Sequence, residues 1–254
     1  MEKLTEAQRR AVRWYIGDTT GDDPFWGDPK AYVTLNALFF HGIGTEQARA
    51  AEGKRLNPSI LADGKRLFAV LHNLAAAFRP LEDPVCTYRV ERYADYLTMR
   101  ERGTCISFTS TSTVGFLDAY RDRTGIALMQ FVLPVGTPCI PMAKLLADYA
   151  KADEAEILLP PSLPLCIEEM PLTQDMLAIT DADGNPPVTA VKAVPARLPQ
   201  RCGTCPSDDD GRLAGIRVLT ALQSGETPDA EDVKAYSHWK AQISWEGICD
   251  ETIC

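Results

Sequence analysis

The hydrophobic pattern of the sequence changes after Pro84, and this change constrains the fold more than any other feature. Before it, apolar residues recur at the spacing of amphipathic helices. This pattern predicts helices over Glu6–Ile16, Pro29–Phe40 and about Ser59–Phe78. Thr5 and Asp28 stand at the N-cap positions of the first two, and Pro80 follows the third.

After Pro84, short apolar or alternating runs are separated by Pro, Gly and Asp, which is typical of strands. The predicted strands are Val85–Glu91, Thr104–Thr109, Ile126–Leu133, Thr137–Ile140, Glu154–Leu159, Leu163–Glu168, Asp175–Ile179 and Val188–Val194. Short strands that follow a block of helices predict an α+β fold with an antiparallel sheet or sandwich.

The C-terminal part differs from the strand region. Leu198–Gly211 is rich in Pro, Gly, Ser and Asp and reads as a linker or an exposed loop, with helices predicted beyond it over Arg212–Leu222 and Ala230–Ile243. We therefore expect one domain over residues 1–197, with a helical start (1–82) and a β core (83–197), and a helical extension over 198–254.

Eight cysteines are too few for a disulfide scaffold in a chain of 254 residues. The tail cysteines include Cys202 and Cys205, which form half of a zinc pattern, with Cys249, Cys254 or His238 as further ligands. Free thiols or a disulfide are the alternatives. The other cysteines lie singly in apolar segments and are expected to be buried as small hydrophobes: Cys86, Cys105, Cys139 and Cys166.

The composition limits the partners. A net charge of −9 argues against DNA or RNA as the main partner. No apolar run approaches the roughly 18 residues that a membrane-spanning helix needs. The N-terminus lacks the apolar region of a classical signal peptide, so synthesis in the cytoplasm is expected.

Three motifs carry polar residues in the strand region. Arg89 lies in an apolar strand, where its guanidinium must either grip a phosphate or pair with a carboxylate. In Thr109–Ser112, Ser110 and Ser112 share one face, which is either a row of donors or the polar face of an edge strand.

Glu154 and Glu156 are the third motif, two residues apart in a predicted strand. This spacing predicts both carboxylates on one strand face. There they repel each other and either divide the work at one reacting centre or form a solvated acidic face.

In this order the three motifs resemble the Arg, Ser-Thr-Ser and Glu-x-Glu signature of mono-ADP-ribosyltransferases of the arginine-specific toxin type. The run from Glu154 to Pro161 and the helical start, with Arg13–Ile16 and Asn36, are also similar to that family. The resemblance covers residues 5–195 and implies a split antiparallel β-sandwich with NAD in the cleft between its sheets.

The resemblance also implies roles for individual residues. Arg89 would hold the NAD diphosphate, and the backbone of Val90, where many relatives have Gly, would meet the nicotinamide amide. Ser110, Thr111 and Ser112 would line the nicotinamide–ribose pocket, with Ser110 orienting Glu156.

The remaining roles concern the reaction itself. Glu156 would bind the ribose and stabilise the oxocarbenium ion, and Glu154 would serve the acceptor. Tyr149 would contact the target protein, and no metal is implied. The alternative for Tyr149 is the apolar side of a short helix.

The function implied is transfer of ADP-ribose from NAD to a protein side chain, with arginine suggested as the acceptor. Such a protein would act as a bacterial effector or toxin that is exported or injected into another cell. Two alternatives stay open: an NAD glycohydrolase on the same fold, and a non-catalytic NAD-binding or interaction module. Neither a nucleic acid nor a membrane is expected as a partner.

Overall fold

A computed structural model describes residues 4–16, 32, 35–36, 64–116, 124–146, 155–196 and 209–243. Contacts within the chain group it into two units. The first comprises residues 1–2 and 79–199, and the second comprises residues 3–78 and 200–254. The predicted division after residue 197 stays a prediction.

In the described part of the first unit, eight strands form one sheet. They are β1 (Arg79–Pro80), β2 (Val85–Arg92), β3 (Thr109–Ser112), β4 (Ile126–Leu133), β5 (Pro138–Pro141), β6 (Glu156–Leu159), β7 (Leu165–Met170) and β8 (Thr189–Pro195). Their order in the sheet is β1-β5-β6-β3-β2-β4-β8-β7. All neighbouring strands are antiparallel except β4 and β8, which are parallel.

The sheet is split between β2 and β3. β2 pairs with β4 over eight residue pairs, from Val85–Leu133 to Arg92–Ile126. It pairs with β3 at a single position, Tyr88 opposite Ser112. The α+β class and the split sheet agree with the sequence prediction. The prediction of a purely antiparallel sheet differs from the structure at one place, the parallel pair of β4 and β8.

The described helices are α1 (Glu6–Tyr15), α2 (Gly64–Ala75), α3 (Tyr93–Arg102), α4 (Met142–Leu145), α5 (Gln174–Leu177), α6 (Asp209–Gln223) and α7 (Ala230–Ile243). Helix α1 begins with a capping box: the Thr5 hydroxyl accepts from Gln8 N, and the Gln8 side chain accepts from Thr5 N. The predicted helix over Pro29–Phe40 lies outside the described residues except for Tyr32, Leu35 and Asn36, which are helical.

Two predicted strands were wrong. Residues 174–177 form a helical turn because the Thr173 hydroxyl caps Met176 N at 3.3 Å. This turn replaces the strand expected over Asp175–Ile179. The strand expected over Thr104–Thr109 is reduced to an isolated bridge between Thr104 and Pro164, and β3 begins only at Thr109.

Helix α3, which the sequence analysis missed, connects β2 to the loop before β3. It buries Tyr96 and Met99 and ends at Gly103, whose φ of 63° allows the chain to leave the helix in a left-handed conformation.

Burial separates the four cysteines of the first unit into two pairs. Cys105 and Cys139 are buried, as expected. Cys86 and Cys166 are exposed, so the expectation of burial was wrong for them. Cys166 lies on β7, which is an edge strand, and alternate residues of an edge strand face solvent. Within the described residues, no helix is long and apolar enough to cross a membrane.

Candidate active site

The strands that carry the three sequence motifs are neighbours in the order β6-β3-β2. Ser112 is opposite Glu156 on one side and opposite Tyr88 on the other, so these three residues form one row across the split. Residues directly opposite in an antiparallel pair share a face of the sheet. Chain topology therefore places the strands that carry the Arg, Ser-Thr-Ser and Glu-x-Glu motifs side by side.

The two threonines of β3 hold the strand in position. The Thr111 hydroxyl donates to the Ile157 carbonyl of β6 at 2.8 Å, and the Thr109 hydroxyl donates to the Ser107 carbonyl at 3.0 Å. Thr111 is only 3% exposed. Its hydroxyl fixes β3 against β6, and a role of Thr111 in binding NAD stays a prediction.

The two serines of β3 lie on the other face. Ser112 is buried, and its hydroxyl accepts from Val114 N at 3.2 Å. Ser110 is half-buried and stands opposite Leu158. No hydrogen bond of the Ser110 hydroxyl is found within the described part of the chain, and its predicted place in the nicotinamide–ribose pocket stays a prediction.

Glu156 is the first residue of β6 and is 9% exposed. The preceding residue, Ala155, has a φ of 43°, in the left-handed region that residues other than Gly rarely adopt. Thr113 fixes Ala155 in this conformation. The backbone nitrogen and the hydroxyl of Thr113 both donate to the Ala155 carbonyl oxygen, at 3.3 and 3.4 Å.

The strand thus begins at Glu156, not at Glu154 as the sequence predicted. Because Glu154 precedes the strand, the alternation of side chains along β6 does not predict which face Glu154 shares. Glu154 itself lies outside the described residues, as do Tyr149, Cys202, Cys205, Cys249 and Cys254. The roles predicted for them stay predictions.

Arg89 reaches across the split. Its Nη1 donates to the Ser110 carbonyl at 2.7 Å, and its Nε donates to Glu91 Oε2 at 2.5 Å. The side chains of Arg89 and Glu91 are 14% and 3% exposed. Pairing with a carboxylate, one of the two alternatives for this arginine, is therefore observed, and diphosphate binding stays a prediction.

Glu91 was not predicted as a site residue. The signal was available, because residues two apart in a strand share a face and Arg89-x-Glu91 lies within a predicted strand.

The side chain of Val90 faces away from this pair. It belongs to a buried cluster with Ile126, Leu128 and Ala190. Only backbone atoms of Val90 remain for the ligand contact that was predicted for it.

Cys105 lies near the Arg89–Glu91 pair but is not a candidate nucleophile. Burial raises the pKa of the Cys105 thiol to about 12, and the hydrogen bond with Thr109 opposes this shift only in part. The thiol is therefore protonated and unreactive at neutral pH. Within the described residues, no group of three or more His, Cys, Asp or Glu side chains is arranged to hold a metal ion.

No protein-family model and no curated protein sequence matches the chain. Among solved structures, the chain is similar to the Vis toxin, an ADP-ribosyltransferase from Vibrio splendidus. The identity is 14%, 78% of this chain and 88% of Vis are covered, and the TM-score is 0.37.

Two further solved structures have similar identities, coverages and TM-scores. For an ADP-ribosyltransferase from Clostridium botulinum, the identity is 14%, the coverage is 75% of this chain and 87% of that one, and the TM-score is 0.41. For the catalytic domain of VahC from Aeromonas hydrophila, the identity is 14%, the coverage is 75% and 98%, and the TM-score is 0.42.

Proposed function

We propose that this chain transfers ADP-ribose from NAD to a side chain of a protein acceptor and releases nicotinamide. The observation that carries the proposal is the row Tyr88–Ser112–Glu156 at the split of the sheet. It joins three motifs that are distant in sequence and that together resemble the signature of arginine-specific mono-ADP-ribosyltransferases.

The residues at the split suit the chemistry of NAD. Arg89 supplies a planar guanidinium that matches a diphosphate, and Ser110 supplies a half-buried hydroxyl. Glu156 supplies a carboxylate with little exposure to solvent. A cation that develops near such a carboxylate is screened little by water.

The reaction breaks the bond between C1′ of the ribose and the nicotinamide nitrogen. The electron pair leaves with nicotinamide, which departs as a neutral molecule, so a general acid is unnecessary. Positive charge develops on C1′ and the ring oxygen, as in glycoside cleavage. Glu156 stabilises this charge and holds the ribose 2′-hydroxyl, and Glu154 accepts the proton that the acceptor loses on attacking C1′.

The acceptor follows from the resemblance. The Glu-x-Glu form of the motif suggests a guanidinium group, as in arginine, and a protein with this activity would serve as a bacterial effector or toxin.

The test uses NAD labelled in the adenylate part, a cell lysate as a source of acceptors, and three proteins: wild type, Glu156→Gln and Glu168→Gln. Glu168 is a matched control, because its side chain is 70% exposed and its charge pairs with Lys192 on the neighbouring strand. We expect Glu156→Gln to reduce nicotinamide release by about 100–1000-fold, the typical cost of one transition-state contact. Glu168→Gln should match wild type.

The products separate the alternatives. Labelled protein together with free nicotinamide supports the transferase. Nicotinamide without labelled protein would identify a glycohydrolase, and neither product would identify a non-catalytic protein. A Glu156→Gln protein that retains most of its activity would contradict the assignment of this residue.

A further inference from the structure

We propose that Glu91 is a positioning residue that fixes the guanidinium of Arg89 for the diphosphate of NAD. This inference rests on the proposed function and deepens it, since it assigns a role to a buried charge that the sequence motifs do not include.

Two contacts from two different strands hold the guanidinium. Glu91 accepts from Nε at 2.5 Å, and the Ser110 carbonyl of β3 accepts from Nη1 at 2.7 Å. A guanidinium is planar and rigid, so contacts at two of its nitrogens fix both its plane and its direction. A group that is fixed before binding loses less conformational entropy when the ligand arrives.

Glu91 is itself fixed on both sides. Its Oε2 accepts from Arg89, and its Oε1 accepts from Arg92 N at 3.1 Å. Both contacts come from N–H donors, so both oxygens must be acceptors. Glutamine has the same shape but only one oxygen, and its NH₂ group would face an N–H donor at one of the two positions.

The charge of Glu91 is unfavourable for the ligand itself. A carboxylate beside a diphosphate site weakens the attraction for anions. Its side chain is also 3% exposed, and burying a charge costs free energy unless it is paired. A neutral residue would avoid both costs but would not hold the Nε edge of Arg89 and the Arg92 N–H together.

The experiment compares wild type, Glu91→Gln, Arg89→Lys and the double variant, with Glu169→Gln as the control. Glu169 also pairs with an arginine, Arg100, at 3.0 Å, but its side chain is 64% exposed on edge strand β7. Two quantities are measured for each protein: the Kd for NAD by calorimetry, and KM and kcat for nicotinamide release.

We expect Glu91→Gln to raise both Kd and KM by about tenfold, with kcat changed by less than about threefold. Glu169→Gln should change neither. In the Arg89→Lys background, Glu91→Gln should add little, because a residue that acts through Arg89 has no further effect once Arg89 is replaced. A purely structural role would reduce the amount of folded protein and leave Kd and KM unchanged.

Two results would overturn the inference. One is unchanged Kd and KM in Glu91→Gln, and the other is an equal effect of this change with and without Arg89. Failure of the proposed function has a different signature: wild type would bind NAD and release no nicotinamide, and the Kd values would still report on Glu91. A wild type without affinity for NAD would overturn both proposals.

Discussion

Ser112 lies directly opposite Glu156 across the β3–β6 pair, whereas Ser110 lies opposite Leu158. Directly opposite residues in an antiparallel pair have Cβ atoms about 4.5–5.5 Å apart, and diagonal neighbours are about 7–8 Å apart. Ser112 is therefore better placed than Ser110 to orient Glu156, although the sequence motif alone suggested Ser110.

The register predicts different effects for the two serines. We expect Ser112→Ala to lower kcat for nicotinamide release by about tenfold, because it removes a hydroxyl next to Glu156. Ser110→Ala should mainly raise KM for NAD, because the hydroxyl of Ser110 is available to the ligand. Steady-state kinetics of the two variants, which differ only in position, check this. A larger kcat effect for Ser110→Ala would restore the original assignment.

Arg89 should affect binding more than chemistry. Arg89→Ala would remove a charge partner of the buried Glu91 carboxylate, and breaking a buried ion pair typically costs about 3–5 kcal/mol, so this variant would confound binding with folding. Arg89→Lys keeps the charge and loses the planar fork. We expect KM for NAD to rise by about tenfold and kcat to change little, since the diphosphate contacts differ little between ground and transition states. A fall in kcat at unchanged KM would show that Arg89 does not bind the diphosphate.

Glu154→Gln should separate transfer from hydrolysis. If Glu154 serves the acceptor, the variant loses ADP-ribosylation of protein or of a small guanidine such as agmatine, while slow hydrolysis of NAD continues. Water is small and abundant and captures the cation without a dedicated base, whereas a guanidinium has to lose a proton. Both products are followed on one sample. Equal loss of nicotinamide release and labelled acceptor would mean that the two carboxylates act as one unit.

The hydrogen bonds to Asp181 should make the free energy of unfolding decrease at acid pH. Three backbone N–H groups point at this carboxylate, from Gly125 at 2.9 Å, Asn185 at 2.8 Å and Asp183 at 3.0 Å. They favour its charged form and lower the pKa of Asp181. The resulting stabilisation is complete above the unfolded pKa of about 3.9, and it is lost as the pH falls from there through the lowered folded-state pKa.

Thermal unfolding between about pH 6 and pH 3 measures this effect. We expect Asp181→Asn to have a lower Tm than wild type at pH 6 and a smaller decrease towards pH 3. Asp175→Asn, at an exposed position of α5, should follow the wild-type curve. If the curve of Asp181→Asn has the same acid slope as wild type, another carboxylate is responsible for the pH dependence.

Local patterns predicted the elements whose periodicity is strong. Strand β4 (Ile126–Leu133) and helix α7 (Ala230–Ile243) have the predicted bounds, because a long apolar run or a full helical face leaves few alternatives. The parallel pairing of β4 with β8 depends on a long connection and leaves no local signal.

The site follows the same distinction. The three motifs and their order were visible in the sequence. The position of Glu91 beside Arg89 could also have been predicted, because residues two apart in a strand share a face. The left-handed conformation of Ala155 could not be predicted from the sequence. The carbonyl of Ala155 accepts a hydrogen bond from Thr113, which follows a different strand. No property of an alanine between two glutamates indicates such a contact.

The single pair that joins β2 and β3 also determines where this sheet is least stiff. Separating β2 from β4 would break eight residue pairs, whereas separating β2 from β3 would break one pair and the hydrogen bond from Arg89 to the Ser110 carbonyl. We therefore expect small thermal fluctuations in the width of the sheet to be concentrated at the row of Tyr88 and Ser112. A ligand at this row would adjust the spacing of the two halves while the hydrogen bonding within each half stays intact.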